Sequence, residues 1–202
     1  MSKERILEIS HKEHLSHVGS CLTAYPIIEE IHEIMRPEDV FVLDEGHAAL
    51  AYYVFLERRG RTNAEELLRK HGIHQNRDPE AGILVSAGSL GLAGSIALGM
   101  ALANKERSVY CLTSDGALSE GIWWEIFRIK ADKGVANLKV FVNANSWGAY
   151  DPIDVERLEG RVKQFCPDVE FRRTNVEQYS FLIGQDAHYK VMSEGDYNRT
   201  IK

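Results

Sequence analysis

Apolar residues recur along this chain in two patterns, one at helical spacing and one in short continuous runs, and the two alternate. Residues 3–14 carry the helical pattern. Thr23 is placed to cap a second helix that runs to about Met35, with Pro37 just past its end. The run V-F-V-L at 40–43 predicts a buried strand. A helix over 46–59 follows, closed by Gly60, and Asn63 caps a shorter one over 64–71. Residues 91–104 are small and apolar on nearly every face, the pattern of a helix packed deep in a protein. Runs at 109–112 and 139–142 predict two more buried strands, with a helix over 121–133 between them. A helix over 152–165 and a strand over 169–173 complete the pattern, and the tail from Gly184 is polar and loosely patterned. Alternation of this kind predicts an α/β fold with a mostly parallel sheet and helices on both faces, in a single domain over residues 1–202.

Composition narrows the function. With 202 residues, 44% of them hydrophobic, the chain can bury a proper core. A net charge of −6 and the lack of a basic run argue against a nucleic-acid partner. No stretch approaches the roughly 18 apolar residues of a membrane span. The start, Met-Ser-Lys-Glu-Arg, leads into an amphipathic segment rather than the apolar core of a signal peptide. Three scattered cysteines, Cys21, Cys111 and Cys166, suggest reduced thiols and a cytoplasmic location.

Candidate chemistry lies in two turns. Residues 113–121 read T-S-D-G-A-L-S-E-G, and 142–147 read V-N-A-N-S-W. Taken singly, Asp-Gly and a loop Asn are ordinary turn residues. Taken together, each follows a predicted strand, and the helix between makes a βαβ crossover that brings both turns to one sheet edge. Ligands of open α/β sheets bind at that edge. Asp115 offers a carboxylate and Asn145 an amide oxygen, a hard-oxygen pair suited to Mg²⁺ shared with a diphosphate. Of the eight histidines, His11, His14, His32 and His71 sit in helical patterns and are expected at the surface, whereas His17 lies in a polar loop and His47 follows a strand and a glycine.

The two turns resemble the thiamine diphosphate motif, and D-G-x-x-x-E-G is similar to its transketolase version. Three further segments resemble that family in the same order: Ser16-His17-Val18-Gly19-Ser20, the strand ending Asp44-Glu45-Gly46-His47, and the loop Ser86-Ala87-Gly88-Ser89-Leu90-Gly91. The resemblance implies the diphosphate-binding domain of the thiamine diphosphate-binding fold. It implies Mg²⁺ held by Asp115, Asn145 and the carbonyl of Trp147, the diphosphate met by Gly116 and Ala117, and cofactor rings packed on Gly88 and Leu90. It makes His17, His47 and His188 catalytic-site histidines: His17 facing the donor sugar, and His47 and His188 the diphosphate. It sets Glu120 at a subunit interface, which is compatible with a carboxylate favoured at a helix N-terminus. Two positions depart from the family. Asp78 stands where the donor-contacting histidine of a G-H-P-E stretch is expected, unless His74 takes that role, and Ser114 replaces a glycine, so the first turn is expected to differ slightly.

A full transketolase chain carries a second α/β domain, which binds the aminopyrimidine ring and holds the activating glutamate. These 202 residues leave no room for it. The resemblance therefore implies the N-terminal subunit of a split transketolase, transferring a two-carbon ketol unit between sugars with Mg²⁺ and thiamine diphosphate. A separate pyrimidine-domain chain is the expected partner, in a heterotetramer built on a homodimer. Helices 91–104 and 121–130 carry more apolar side chains than one small domain covers, which supports such an assembly. Two alternatives stay open: a related carboligase for a modified or nucleotide-linked sugar, supported by Asp78, and a cofactor-binding module without turnover.

Overall fold

The computed structural model describes residues 2–200. Helices α1 (Ser2–Lys12) and α2 (Val18–Ile34) precede β1 (Val40–Leu43), and α3 (Ala49–Arg58), α4 (Ala64–His71) and α5 (Leu92–Ala103) follow it. Then come β2 (Val109–Ser114), α6 (Gly121–Lys133), β3 (Leu138–Ala144), α7 (Val155–Phe165), β4 (Glu170–Arg173), α8 (Asp186–Tyr189) and α9 (Glu194–Thr200). The four strands form one parallel sheet in the order β1-β2-β3-β4, with Val40 opposite Val109 and Ser114 opposite Asn143.

Strand side chains alternate between two faces, and each face has its own core. Phe41, Leu43 and Leu112 pack with Ile6, Leu22 and Ile28 of α1 and α2 and with Tyr53 of α3. Val42, Cys111 and Val140 pack with Ala97 of α5, Trp123 of α6 and Val162 of α7. The result is a three-layer α/β fold. Burial on both faces explains why β1 and the first four residues of β2, Val109–Leu112, are continuous apolar runs.

Several elements differ from the sequence pattern. Helix α2 begins at Val18, so Thr23 lies inside it and caps nothing. Its hydroxyl donates back to the carbonyls of Gly19 and Ser20, each at 3.1 Å. Helix α5 is not buried all round. Ala93, Gly94 and Ala97 face the core, while Leu92 and Ile96 are about half exposed, at 52% and 48%. Small residues serve close approach here, since a Cβ on Gly94 would stand 2.6 Å from the indole of Trp123. On α6, Trp123 and Phe127 are wholly buried. His32 packs among Phe41, Tyr52 and Phe55, and the His71 side chain is buried against Asp78, so neither is a surface histidine. The polar tail folds back as α8 and α9, with Met192 joining the α1–α3 core that Phe181 and Leu182 enter just before it. No helix among the described residues is long and apolar enough to cross a membrane, and all three cysteines are buried and free.

Candidate active site

The loops after β2 and β3 meet at the carboxyl edge of the sheet. The Asp115 amide donates to the Asn143 carbonyl at 3.1 Å, extending the ladder by one bond past the strand. The Asp115 carboxylate is fully buried. Oδ1 accepts from Gly116 N at 3.0 Å and Oδ2 from Ser146 N at 2.7 Å, which ties the two turns together. The Asn145 Oδ1 accepts from Trp147 N at 3.0 Å, and Ser146 takes a left-handed φ of 69° to make that turn. A Cβ on Gly116 would stand 3.6 Å from the Trp147 carbonyl oxygen, so that carbonyl lies beside Gly116. Ser114 does not disturb the loop. It ends β2 with a negative φ, and its Oγ accepts from Ala117 N at 3.2 Å.

Burial pushes the Asp115 carboxyl up to about 7, with hydrogen bonds from backbone amides opposing it. No cationic side chain pairs with it among the described residues. No group of three His, Cys, Asp or Glu side chains among the described residues could hold a metal ion. A cation here must therefore use one carboxylate together with neutral oxygens. The Asp115 carboxylate, the Asn145 amide and the Trp147 carbonyl are such a set, and they fit Mg²⁺ that keeps its remaining positions for water and phosphate.

Three imidazoles gather beside these turns. Ring centroids are 5.1 Å apart for His17 and His47, and 6.2 Å apart for each with His188. The H-V-G-S segment builds this cluster. His17, at φ 60°, precedes α2 and donates its backbone N–H to the His188 carbonyl at 2.6 Å. Gly19 admits α8, because a Cβ there would stand 2.7 Å from the Ala187 side chain. Ser20 Oγ lies 2.9 Å from His188 Nδ1.

Burial lowers His17 to about 4 and His47 to about 3, and the neighbouring imidazoles add to both shifts. Burial lowers His188 as well, while the Trp147 carbonyl pulls weakly the other way without closing a hydrogen bond to Nε2. All three rings are thus neutral at pH 7. His17 Nδ1 and His188 Nε2 are buried with no partner. Orphaned ring nitrogens of this kind are rare in a folded protein and fit an absent polyoxyanion.

The strand β1 ends in the same place. A Cβ on Gly46 would stand 2.8 Å from the Ala87 carbonyl carbon and 3.0 Å from Gly88 N, so the glycine loop lies against the turn that carries His47. Gly88 is open to solvent and Leu90 is half-buried. Two neighbours of His47, Asp44 and Glu45, were given no role in the sequence reading. Buried Asp44 accepts from Gly91 N, Gly94 N, Thr113 Oγ1 and Trp123 Nε1, at 3.1, 3.0, 2.8 and 2.9 Å. It thereby fixes the start of α5 to β2 and α6. Glu45 is fully buried. Its oxygens meet Asn143 Nδ2 at 3.3 and 3.4 Å, and one lies 4.0 Å from His47 Nε2. Burial, with Asp115 and Asp44 nearby, raises its carboxyl well above the usual range. The signal for both was a pair of carboxylates ending an apolar run directly before Gly-His.

Asp78 and Glu120 stand apart from this cluster. Lys70 Nζ at 2.7 Å and His71 Nε2 at 3.1 Å both hold the Asp78 carboxylate, and Lys70 keeps it below the ordinary range. Asp78 also pairs with Ile83 through the backbone. His74, by contrast, bears electrostatically on both His17 and His47. Glu120 is exposed at the N-cap of α6 and makes no side-chain cap bond.

Residues 3–191 match the family model described as 1-deoxy-D-xylulose-5-phosphate synthase. The transketolase of Homo sapiens is 34% identical over 165 residues, covering 74% of this chain and 26% of that protein. One subunit of the apulose-4-phosphate transketolase of Phocaeicola vulgatus is 29% identical over 191 residues, covering 83% of this chain and 68% of that one. The crystal structure of transketolase from Campylobacter jejuni superposes with a TM-score of 0.60 at 19% identity, over 78% of this chain and 33% of that one. The chain thus spans about a quarter of the human relative.

Proposed function

Because the chain belongs to the family of 1-deoxy-D-xylulose-5-phosphate synthase and transketolase N-terminal domains, we propose that it is the diphosphate-binding subunit of a split transketolase. In this reading it holds Mg²⁺ and thiamine diphosphate for transfer of a two-carbon ketol unit between sugar substrates. The observation that carries the reading is the convergence of three neutral imidazoles, two with orphaned ring nitrogens, beside the paired turns of Asp115 and Asn145. Asp115, Asn145 and the Trp147 carbonyl would hold the cation, and Gly116 and Ala117 would face the diphosphate. When bound, the cofactor supplies the carbanion chemistry that the protein lacks.

The chain's own residues bind and orient. If Ser20 donates to His188 Nδ1, the His188 proton sits on Nε2, where it becomes a donor to an anionic oxygen. His47, with burial keeping it neutral, donates one N–H without adding a positive charge that would compete with the cation. His17 takes the donor-sugar role. Asp78 has its carboxylate engaged by Lys70 and His71, so we assign the donor contact on that loop to His74 instead.

A partner subunit completes the enzyme. The similar Phocaeicola vulgatus protein is named as one subunit of its transketolase, and the chain covers 68% of it. We propose a heterotetramer in which a homodimer of this chain carries two pyrimidine-domain chains, and Glu120 and the open face of α5 lie at interfaces. The same name supports a second reading for the donor, an unusual sugar phosphate such as apulose-4-phosphate. Calorimetry on the assembled complex tests the cofactor assignment: Asp115→Ala is expected to weaken Mg²⁺–thiamine diphosphate binding at least about tenfold, about 1.4 kcal/mol. Undiminished affinity would remove Asp115 from the site. A screen of ketose phosphates on the same complex reads the donor, and failure of every ketose would overturn the transketolase assignment.

A further inference from the structure

A second cleft lies at the other end of α3 from His47. Its volume is about 570 Å³, within the range of small-molecule sites. The ten residues of α3 place it roughly 15 Å from the imidazole cluster. It opens beside the edge strand β1, between the ends of α2 and α3 and the segment 79–84.

Three features of this cleft suit a bound ligand. First, Arg59 and Arg61 stand at its lip, exposed and with no carboxylate partner among the described residues. Arg36, the third arginine there, is already bound by Asp39 through both guanidinium and backbone. Second, the two free guanidiniums lie against the cleft's own residues. Arg59 lies 5.1 Å above the Phe55 ring, and a Cβ on Gly82 would stand 2.9 Å from Arg61 Nη1. Both arginines act electrostatically on His32, and Arg61 also acts on Tyr52, so they face the same wall. Third, His32 lines that wall between Phe41 and Phe55, with ring centroids at 4.8 and 4.2 Å. Its Nδ1 lies 2.8 Å from the Ile28 carbonyl and so carries the ring proton. That leaves Nε2 as an acceptor.

Two unpaired guanidiniums beside a neutral imidazole acceptor and an aromatic wall recognise a definite chemistry. Guanidinium forks match the oxygens of a phosphate. An acceptor nitrogen beside them matches a hydroxyl of the attached organic group. We propose that this cleft is a binding site for a phosphate monoester with a hydroxyl-bearing body, separate from the diphosphate site. A sugar phosphate and a nucleoside monophosphate share that chemistry.

The test is calorimetry on the purified protein with inorganic phosphate, ribose 5-phosphate and AMP, at low ionic strength. At least one organic monoester is expected to bind several-fold more tightly than phosphate. Whether that is AMP or ribose 5-phosphate identifies the body. The double variant Arg59→Ala/Arg61→Ala is expected to weaken it at least about tenfold, with an unchanged thermal melt because both side chains are exposed. Asp115→Ala, which disables the other site, is expected to leave it unchanged. His32→Ala is expected to bring the organic ester down to the affinity of phosphate. An unaltered affinity in the arginine double variant, loss of binding in Asp115→Ala, or no binding of any of the three probes would overturn the proposal.

Discussion

Replacing Asp115 acts on both folding and cofactor binding, and pH and added cofactor read the two effects separately. Its folded-state value is about 7 against an ordinary 3.8. A carboxyl raised in this way binds protons more tightly in the folded state, so its contribution to stability falls as pH rises from about 4 to 7. At 1.36 kcal/mol per unit, the cofactor-free protein loses roughly 4 kcal/mol to this group at pH 8 and about 2 kcal/mol at pH 5. Asp115→Asn removes that dependence. It keeps an oxygen for Ser146 N but turns an NH₂ toward Gly116 N, a loss of about 1–2 kcal/mol at any pH. The lowered histidines act in the opposite sense. They weaken the fold as pH falls below 6.5, but they do so in both proteins and cancel in the difference. Urea unfolding at the two pH values should therefore show the variant gaining roughly 2–3 kcal/mol on the wild type between pH 5 and pH 8. Addition of Mg²⁺ and thiamine diphosphate at pH 8 should stabilise the wild type more than the variant. A difference between the two proteins that does not change with pH would refute the buried-carboxylate argument. Equal stabilisation by the loaded cofactor would refute the ligand assignment.

Asp44→Ala should destabilise the protein by about 3–5 kcal/mol in urea unfolding, because it strands two backbone donors, a hydroxyl and an indole in the core. A loss below about 1 kcal/mol would mean that water replaces the carboxylate. Ile96→Glu should convert an associated chain to monomer in light scattering while leaving the monomer's fold intact, since Ile96 is half exposed. A wild type that is already monomeric, with or without the pyrimidine-domain chain, would overturn the interface assigned to α5.

The layers and the parallel sheet of this fold were legible because the strands are short apolar runs that alternate with helical patterns. Asn63 caps α4 as expected, its Oδ1 accepting from Glu65 N and Glu66 N. The start of α2 was not legible. Its N-cap is His17 in a left-handed conformation with no side-chain cap bond, held instead by the His188 carbonyl far along the chain. A local rule that looks for Ser or Thr at an N-cap selects Thr23 and misses a tertiary contact. The tail was opaque for the same reason. Its polar pattern hides His188, whose burial depends on Ser20 and on the Gly19–Ala187 approach. For the candidate site, motif spacing brought Asp115 and Asn145 to one edge, and the family resemblance added His17, His47 and His188. It could not see that Asp78 is neutralised by Lys70, a residue one helix earlier.

Asp44 and Glu45 show why the charge state of the site is harder to read than its residues. Three carboxylates end neighbouring strands, and each meets burial differently. Asp44 is satisfied by four donors and holds α5 in place. Glu45 accepts from the Asn143 amide with His47 Nε2 4.0 Å away, and burial favours its neutral form. Asp115 has two backbone amides and no cation. The imidazoles around them are neutral. Among the described residues the protein therefore brings no positive charge to the place where a diphosphate would sit, and the charge poised there, that of Asp115, is negative. An anion entering alone would meet a buried carboxylate, whereas a diphosphate already on Mg²⁺ would relieve it. On this argument the divalent cation is the electrostatic condition for cofactor binding and not an accessory to it. Titration of thiamine diphosphate in the presence of a chelator, at the pH 8 of the Asp115 experiment, reads this directly. Affinity undiminished without the divalent cation would show that some other positive charge holds the diphosphate.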